Sequence, residues 1–333
     1  MKRWLGVSLA LGACKTTPPP APPPPPIPLH VEPACDLAPA AGAQWVIEAK
    51  PRQIAEIPDL IPAIAEVLPE ERLQLFTASH GGIDLRQTKD LCLVQYKGSQ
   101  LGVLDVPLDP ERIAKAFDAR TTEPATRSFL ATNPKVMRLV GKVNDPTAPS
   151  HEEEQRLVTF GLEAIALERG ASGPLRAAEA FGFMKLKKAS PVLKGAALKR
   201  AAEALGDAPF RAFAAGPFEE EAAKGLGGIL RATTAAGVSA AWSGQKADLL
   251  VRVVLVGAWG DDGPAAAQRL AAGANVLSGS SVGRLFGLDN PVRSPAAHVE
   301  NDALVLEATI DGNALAKGLH DAIDASVADI MRK

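Results

Sequence analysis

Pairs of short apolar runs, each pair followed by a segment with helical spacing, recur along the chain. In the first copy the runs 91–97 and 101–107 flank a Gly-Ser dipeptide, which is typical of a tight turn between two strands. Asp109 and Pro110 then precede apolar residues at helical intervals, and proline is favoured at the first position of a helix. The pattern predicts a β-hairpin followed by an α-helix.

Three looser copies of this pattern follow the first. Their paired runs are 156–162 with 164–168, 238–242 with 247–256, and 298–299 with 303–310. An aspartate precedes the helical segment in most copies: Asp109 in the first, Asp261 or Asp262 in the third, and Asp311 in the fourth. A carboxylate in this position accepts hydrogen bonds from the free N–H groups of the first helical turn. We therefore interpret these aspartates as helix caps first and as catalytic candidates second.

Further elements between the copies give the chain a repeated order. A strand at 45–49 precedes a helical stripe over 54–68, and a strand at 210–215 precedes a helical segment over 219–234. The order strand, helix, hairpin, helix thus occurs twice. This repetition predicts two similar halves, residues 35–204 and 205–333.

Polar segments separate some of these elements. The segments 121–135 and 143–155 contain several prolines, so we predict loops there. Hairpins with intervening helices favour an α+β fold with mostly antiparallel sheets built from hairpin–helix (ββα) units. We expect the helices to lie on one sheet face.

Composition narrows the choice of partner. Hydrophobic residues make up 47% of the 333 residues, enough for a sizeable core. The formal net charge is −2, whereas a general nucleic-acid-binding protein needs a basic face. We therefore expect no nucleic-acid partner.

The N-terminus has the features of an export signal. Lys2 and Arg3 precede a short apolar stretch over 4–11, which is too short to span a bilayer. The stretch ends in Leu-Gly-Ala-Cys at Cys14, which resembles the lipobox of bacterial lipoproteins. The alternative is an ordinary signal with an incidental cysteine.

The resemblance implies that residues 1–13 are removed and that Cys14 carries the lipid that anchors the chain to a membrane. Two or three acyl chains give stable anchoring. In lipoproteins of bacteria with two membranes, aspartate after the lipidated cysteine favours retention at the inner membrane. Lys15 occupies that position here. The resemblance therefore implies the outer membrane, with the domain in the periplasm or at the cell surface.

A proline-rich linker is expected over residues 14–34. Ten of the sixteen residues from Pro18 to Pro33 are proline, and such a run is disordered or forms extended polyproline II. At about 3.1 Å per residue, this linker would hold the domain roughly 60 Å from the membrane. A proline-rich ligand for another protein is the alternative interpretation.

Two cysteines remain if Cys14 carries lipid. Cys35 lies where the linker meets the globular part, and Cys92 lies in an apolar run. An exported protein meets an oxidising compartment, so we predict one disulfide between them. Two buried free thiols are the alternative.

One motif points to catalysis. Residues 279–283 match G-x-S-x-G, the nucleophile pattern of serine hydrolases, with Ser281 at its centre and His320 further along. The intervening acids that would complete such a triad are Asp289, Asp302 and Asp311. The nucleophile pattern must follow a core strand, and 265–277 has helical spacing instead. The sequence therefore favours a Gly/Ser turn between two helices over a hydrolase site.

Other candidate chemistry is weak. The five histidines are His30, His80, His151, His298 and His320. Since they lack metal-ligand spacing, we predict neither a metal nor a cofactor. A basic stretch over 185–200 either faces an anionic envelope surface or is the solvated face of two helices.

These observations leave three hypotheses for the function. The preferred one is an envelope lipoprotein whose domain binds a partner, such as another envelope protein, without catalysis. The second is a membrane-tethered hydrolase that uses Ser281 and His320. The third is a carrier of lipid or another apolar ligand, in a groove between sheet and helices.

Overall fold

A single antiparallel sheet organises the molecule. The computed structural model describes residues 25–144, 152–170, 173–186, 188–218, 225–279 and 292–324. Within these residues twelve strands form one sheet in the order β11-β12-β10-β9-β8-β1-β2-β3-β7-β6-β5-β4, and the paired neighbours are antiparallel. The strands are β1 Ala43–Ala49, β2 Asp90–Tyr96, β3 Ser99–Asp105, β4 Thr126–Thr132, β5 Lys135–Asn144, β6 Glu152–Phe160, β7 Ala164–Gly170, β8 Phe210–Ala215, β9 Thr233–Trp242, β10 Asp248–Gly257, β11 Arg293–Glu300 and β12 Ala303–Asp311. The predicted α+β class with antiparallel strands is confirmed.

The sheet runs without a break across the expected boundary between residues 204 and 205. Strand β1 pairs with β8 at the centre, where Val46 lies opposite Phe213. The predicted hairpins β2–β3, β6–β7, β9–β10 and β11–β12 all form.

Eight α-helices are present in the described residues. They are α1 Pro51–Ala55, α2 Ile61–Val67, α3 Glu70–Ser79, α4 Pro110–Asp118, α5 Pro174–Gly182, α6 Lys199–Leu205, α7 Gly263–Gly279 and α8 Gly312–Asp324. Two predicted caps are confirmed. Asp109 accepts from the backbone N–H of Glu111 at 2.9 Å, and Asp311 accepts from that of Asn313 at 2.9 Å.

Two loop predictions are wrong in large part. Residues 126–132 form β4, and the strands β5 and β6 extend to Asn144 and from Glu152 into the second predicted loop. Residues 145–151 lie outside the described residues. Strand β4 is a largely exposed edge strand, so it lacks the apolar pattern that marks a buried strand. Its pairing with β5 defines it instead.

Two predicted helices also differ. The stripe over 54–68 is divided into α1, a short 3₁₀ helix at Pro58–Leu60, and α2, because proline lacks an N–H and clashes with the preceding turn. In the segment over 219–234, residues Gly225–Arg231 form a 3₁₀ helix and β9 begins at Thr233. Residues 219–224 lie outside the described residues.

Helices cover both faces of the sheet, so the expectation of one covered face is wrong. The first face carries Val46, Val94 and Val254, and it packs against the 3₁₀ helix Ala34–Leu37 and against α5 and α6. The second face packs against α4 around Phe117 and against α7 around Leu270. Successive side chains of a strand point to opposite faces. The near-continuous apolar runs of β10 and β12 therefore bury residues on both.

The start of the domain is fastened to the first face. Cys35 and Cys92 form the predicted disulfide, with a Cα–Cα distance of 5.1 Å. The linker prediction covered residues 14–34, but its last residues lie on the domain. The Ile27 N–H donates to the Asn133 carbonyl at 2.9 Å, the His30 N–H donates to the Gly182 carbonyl at 2.9 Å, and Val31 is buried. Residues 1–24 lie outside the described residues.

Candidate functional site

An apolar cleft of about 470 Å³ lies between the second face of the sheet and the helices α1, α2, α3 and α8. Its floor is formed by Phe210, Ala240, Trp242 and Leu249, from one end of β8, β9 and β10. Its walls include Ile54, Ile57, Leu60, Ile64, Leu68, Leu73, Leu315 and Leu319. Small-molecule sites in proteins have volumes of about 300–1,000 Å³ and mostly apolar walls, so the cleft has the size and character of a ligand site.

The division of the predicted helix at Pro58 shapes one wall. The apolar stripe of Ile57, Leu60, Ile64 and Leu68 continues across the break, and all four residues line the cleft. Ile61, which belongs to the same predicted stripe, is 53% exposed. The helical stripe was therefore visible in the sequence, but only the break decides which members face the sheet.

Helix α8 closes the cleft from the side of α2. The two helices pack against each other, and His320 Nδ1 lies 2.8 Å from the Glu66 carbonyl oxygen. Leu315 and Leu319 of α8, which share its apolar face, line the cleft. The contact between α2 and α8 therefore holds together two walls that are about 250 residues apart in sequence.

The cleft walls keep apolar surface within reach of solvent. Leu68 is 42% exposed, and Ile54, Ile57 and Ile64 are half-buried. Covering apolar surface contributes about 25 cal/mol per Å², so a second apolar surface in the cleft would be stabilised. The described parts of the sheet and helices leave this surface uncovered.

The polar groups at the cleft already have partners. Arg86, the charged residue among the described lining residues, donates to Asp84 at 3.0 Å and to Glu70 at 2.9 Å. The Trp242 indole N–H donates to the Lys246 carbonyl at 2.7 Å. The described lining of the cleft therefore offers apolar contact and no free group to recognise a charged head.

The hydrolase hypothesis gains no support from the described residues. Ser281 and Asp289 lie outside them. His320 is hydrogen-bonded to the backbone of α2, Asp302 pairs with Arg200 at 3.1 Å, and Asp311 caps α8. The two described acids therefore already have structural roles.

The remaining histidines are dispersed through the fold. His30 Nε2 lies 3.5 Å from Asp36, His298 lies 3.6 Å from Glu300, and His80 contacts Arg120. His151 lies outside the described residues. Within the part of the chain that the structure describes, no three metal-ligating side chains come together.

Part of the basic stretch pairs with acids from other elements. Lys194 donates to Asp36 at 2.6 Å, and Arg200 pairs with Asp302. Lys187 lies outside the described residues. These ion pairs favour a structural role for the stretch over contact with an anionic surface.

A buried carboxyl lies at the end of β3. Burial, aided by the nearby charge of Glu32, raises the pKa of Asp105 to about 6. Lys89 Nζ lies 3.8 Å from this carboxyl but makes the shorter ion pair with Glu32. Asp105 therefore carries its charge at a cost, which makes it a site of pH-dependent stability.

For several cleft residues, nothing in the sequence indicated that they would line a site. Helix α3, which contributes Leu73, was not predicted at all, and its first turn carries two glutamates rather than an apolar stripe. Phe210, Ala240 and Trp242 were predicted only as strand residues. Among the described helices, none is both long and apolar enough to cross a membrane.

Solved structures of TP0453 are similar to this chain at low sequence identity. No family model matches the chain and no curated protein matches it. Crystal form III of TP0453 is similar with a TM-score of 0.48 and 9% identity, over 86% of this chain and 97% of that one. Crystal form I of TP0453 has a TM-score of 0.47 and 11% identity, over 88% of this chain and 98% of that one.

Proposed function

We propose that this chain is a lipid-anchored envelope protein whose α+β domain binds an apolar chain, such as the acyl tail of a lipid, without catalysis. The cleft between the sheet and helices α1, α2, α3 and α8 carries the proposal. It has the volume of a ligand site, and most of the leucine, isoleucine and valine side chains in its walls remain partly exposed.

The character of the walls narrows the ligand class. Each methylene group moved from water into such a site contributes about 0.8 kcal/mol, so an unbranched chain gains affinity with length. Among the described lining residues, the ion pairs of Arg86 leave no free cation for an acidic head. The cleft therefore favours recognition of the hydrocarbon part of a ligand, with its head in solvent.

The anchor is part of the same proposal. Lipidation at Cys14 would attach the domain to the membrane through the proline-rich linker, with residues 1–13 removed. Lys15 favours the outer membrane, with the domain in the periplasm or at the cell surface. A domain held near a membrane has a local supply of acyl chains, so the anchor and the cleft support each other.

We also propose that the domain consists of two similar halves, 35–204 and 205–333, built from hairpin–helix units. The strand order supports this. Outward from the central pair, the first five strands on one side are β1-β2-β3-β7-β6, and β5 and β4 extend that side further. The strands on the other side are β8-β9-β10-β12-β11. Each half thus has its first strand at the centre of the sheet. In each half the second strand of the last hairpin, β7 or β12, lies nearer the centre than the first, β6 or β11.

Filling the cleft tests the binding proposal. Ala240 lies on the cleft floor and is half-buried, whereas Ala65 on α2 is exposed and outside the cleft. We expect Ala240→Phe to weaken binding of a fluorescent apolar probe, N-phenylnaphthylamine, at least tenfold in a titration of the purified protein. The matched control Ala65→Phe should bind as the wild type does.

Competition identifies the ligand class. Alcohols of increasing chain length, from hexanol to dodecanol, should displace the probe with affinity that rises with each methylene group. Probe binding that is equal in wild type and Ala240→Phe would exclude the cleft as the site. A separate test of the anchor is acyl labelling in cells, which Cys14→Ala should abolish.

A further inference from the structure

A second apolar cavity, of about 280 Å³, lies on the same face of the sheet. Its floor is formed by β2, β3, β6 and β7, and α3 and α4 cover it. Leu93, Leu104, Leu157 and Leu167 contribute its apolar surface. For comparison, an apolar cavity of about 150 Å³ is large enough to hold benzene. This cavity is therefore large enough for a short hydrocarbon chain.

Gly102 keeps the floor of this cavity open. It lies inside β3, where glycine is unfavourable because it packs no side chain. A Cβ atom added at Gly102 would have Leu93 Cδ1 as its nearest neighbour, at 3.8 Å, which is ordinary contact. None of the described atoms comes so close to Gly102 that only glycine would fit there. The missing side chain instead leaves free space in the cavity.

Two polar side chains line the cavity at one end. Arg120 donates from a terminal nitrogen to His80 Nε2 at 2.9 Å, and its Nε donates to the Ala116 carbonyl at 3.3 Å. Since Nε2 accepts, the proton of the imidazole is on Nδ1, which lies 3.0 Å from the Phe76 carbonyl. The His80 ring stacks on Phe76 with centroids 4.0 Å apart, which holds the guanidinium in place.

Arg120 has no carboxylate partner among the described residues. Other half-buried arginines do: Arg138 pairs with Glu179, and Arg211 pairs with Glu48. Burial, with a contribution from Arg120, lowers the pKa of His80, so His80 is neutral at pH 7 and adds no charge. Burial and the nearby Arg169 lower the pKa of Arg120. An arginine stays protonated even so, which leaves an uncompensated cation at the end of an apolar cavity.

The geometry points to a binding site for a medium-chain fatty acid, whose chain lies over Gly102 and whose carboxylate is held by Arg120. A guanidinium binds a carboxylate through two parallel N–H···O bonds. Among the described residues, Arg120 uses Nε and Nη1 as donors, and its Nη2 donates to no other group. The site differs from the cleft in recognising the charged head as well as the chain, and it does not depend on binding in the cleft.

Calorimetric titration of the full-length protein with decanoate, decanol and acetate tests the assignment. We expect decanoate to bind, acetate to bind at least a hundredfold more weakly because it lacks the chain, and Arg120→Gln to weaken decanoate at least tenfold while leaving decanol unchanged. In the Ala240→Phe background, in which the cleft is filled, Gly102→Leu should reduce decanoate and decanol alike, and Gly102→Ala should have a smaller effect. Arg120→Lys, which keeps the charge but loses the paired geometry, should fall between wild type and Arg120→Gln.

The variants separate this site from the cleft. Ala240→Phe should retain the decanoate binding that depends on Arg120, whereas decanoate held in the cleft alone would be lost in Ala240→Phe and kept in Arg120→Gln. Thermal unfolding of each variant confirms that the fold is intact. The inference is overturned if the wild type fails to bind decanoate. It is also overturned if folded Arg120→Gln, or folded Gly102→Leu, binds decanoate as the wild type does.

Discussion

Reduction of the Cys35–Cys92 disulfide is expected to cause a large loss of stability. The bond closes a loop with a sequence separation of 57 residues, which contains β1 and the helices α1, α2 and α3. These helices form three walls of the cleft. In the unfolded chain the bond restricts the same loop and lowers its conformational entropy.

The size of the effect follows from the length of the loop. The chain-entropy relation gives a stabilisation of about 4 kcal/mol for a loop of this length. A domain is stable by about 5–15 kcal/mol in total, so the bond accounts for a substantial share. The free energy of unfolding changes with urea by about 3 kcal/mol per M, so a loss of this size should lower the unfolding midpoint by about 1.3 M.

Urea unfolding followed by far-ultraviolet circular dichroism measures this fall. Both cysteines are buried, at 3% and 0% exposure, so the bond is reduced in the unfolded protein, which is then refolded with reductant. Alkylation and mass measurement confirm two free thiols. Comparing oxidised and reduced wild type avoids the cavities that Cys→Ala variants would add. Midpoints that agree within about 0.2 M would refute the entropic reasoning, which expects a shift several times larger.

Two further predictions concern buried carboxyls. The pKa of Asp105 is raised to about 6 from an ordinary 3.8, so the folded state binds its proton more tightly and stability falls as pH rises through this window. Asp105→Asn should therefore stabilise the protein at pH 7.5, by at most about 3 kcal/mol. It should also make the urea midpoint depend less on pH between pH 4 and 6, and an unchanged pH dependence of the midpoint would contradict this. Glu168, fully buried, accepts from the N–H groups of Gly173 at 2.7 Å and Leu175 at 3.3 Å. Glu168→Ala should lower the free energy of unfolding by about 2–4 kcal/mol because it leaves both donors unpaired, whereas Glu168→Gln should lower it less. Thermal unfolding measures both, and equal melting temperatures for the wild type and Glu168→Ala would show that these hydrogen bonds contribute nothing.

Local patterns predicted the hairpins well and the edge of the sheet poorly. The runs around Gly98 and around Gly244 became hairpins because both strands are apolar and the turn residues adopt positive φ. Strand β4 was predicted as a loop because it is mostly exposed, and an exposed strand need not show alternation. Its partner β5 was also missed, and it is identified by its pairing with β4 on one side and β6 on the other.

The candidate site was predictable only in part. The stripe containing Ile57, Leu60 and Ile64 was recognised as an apolar helix face, and so was the face of α8 that carries Leu315 and Leu319. Amphipathic helices normally bury such faces completely. No local pattern states that two of them meet over the floor of the cleft and leave a space.

The sequence by itself determined the α+β class, the hairpins, the helix caps at Asp109 and Asp311, and the pairing of Cys35 with Cys92. Each of these features depends on residues close together in the chain. The cysteine pairing depends instead on the number of cysteines left once Cys14 carries lipid. The tertiary structure decided the single continuous sheet, the helices on both faces, the cleft, and the cavity that joins Gly102 to Arg120. These features depend on which distant segments pack together and how completely they fill the space between them, and this is a property of the whole chain.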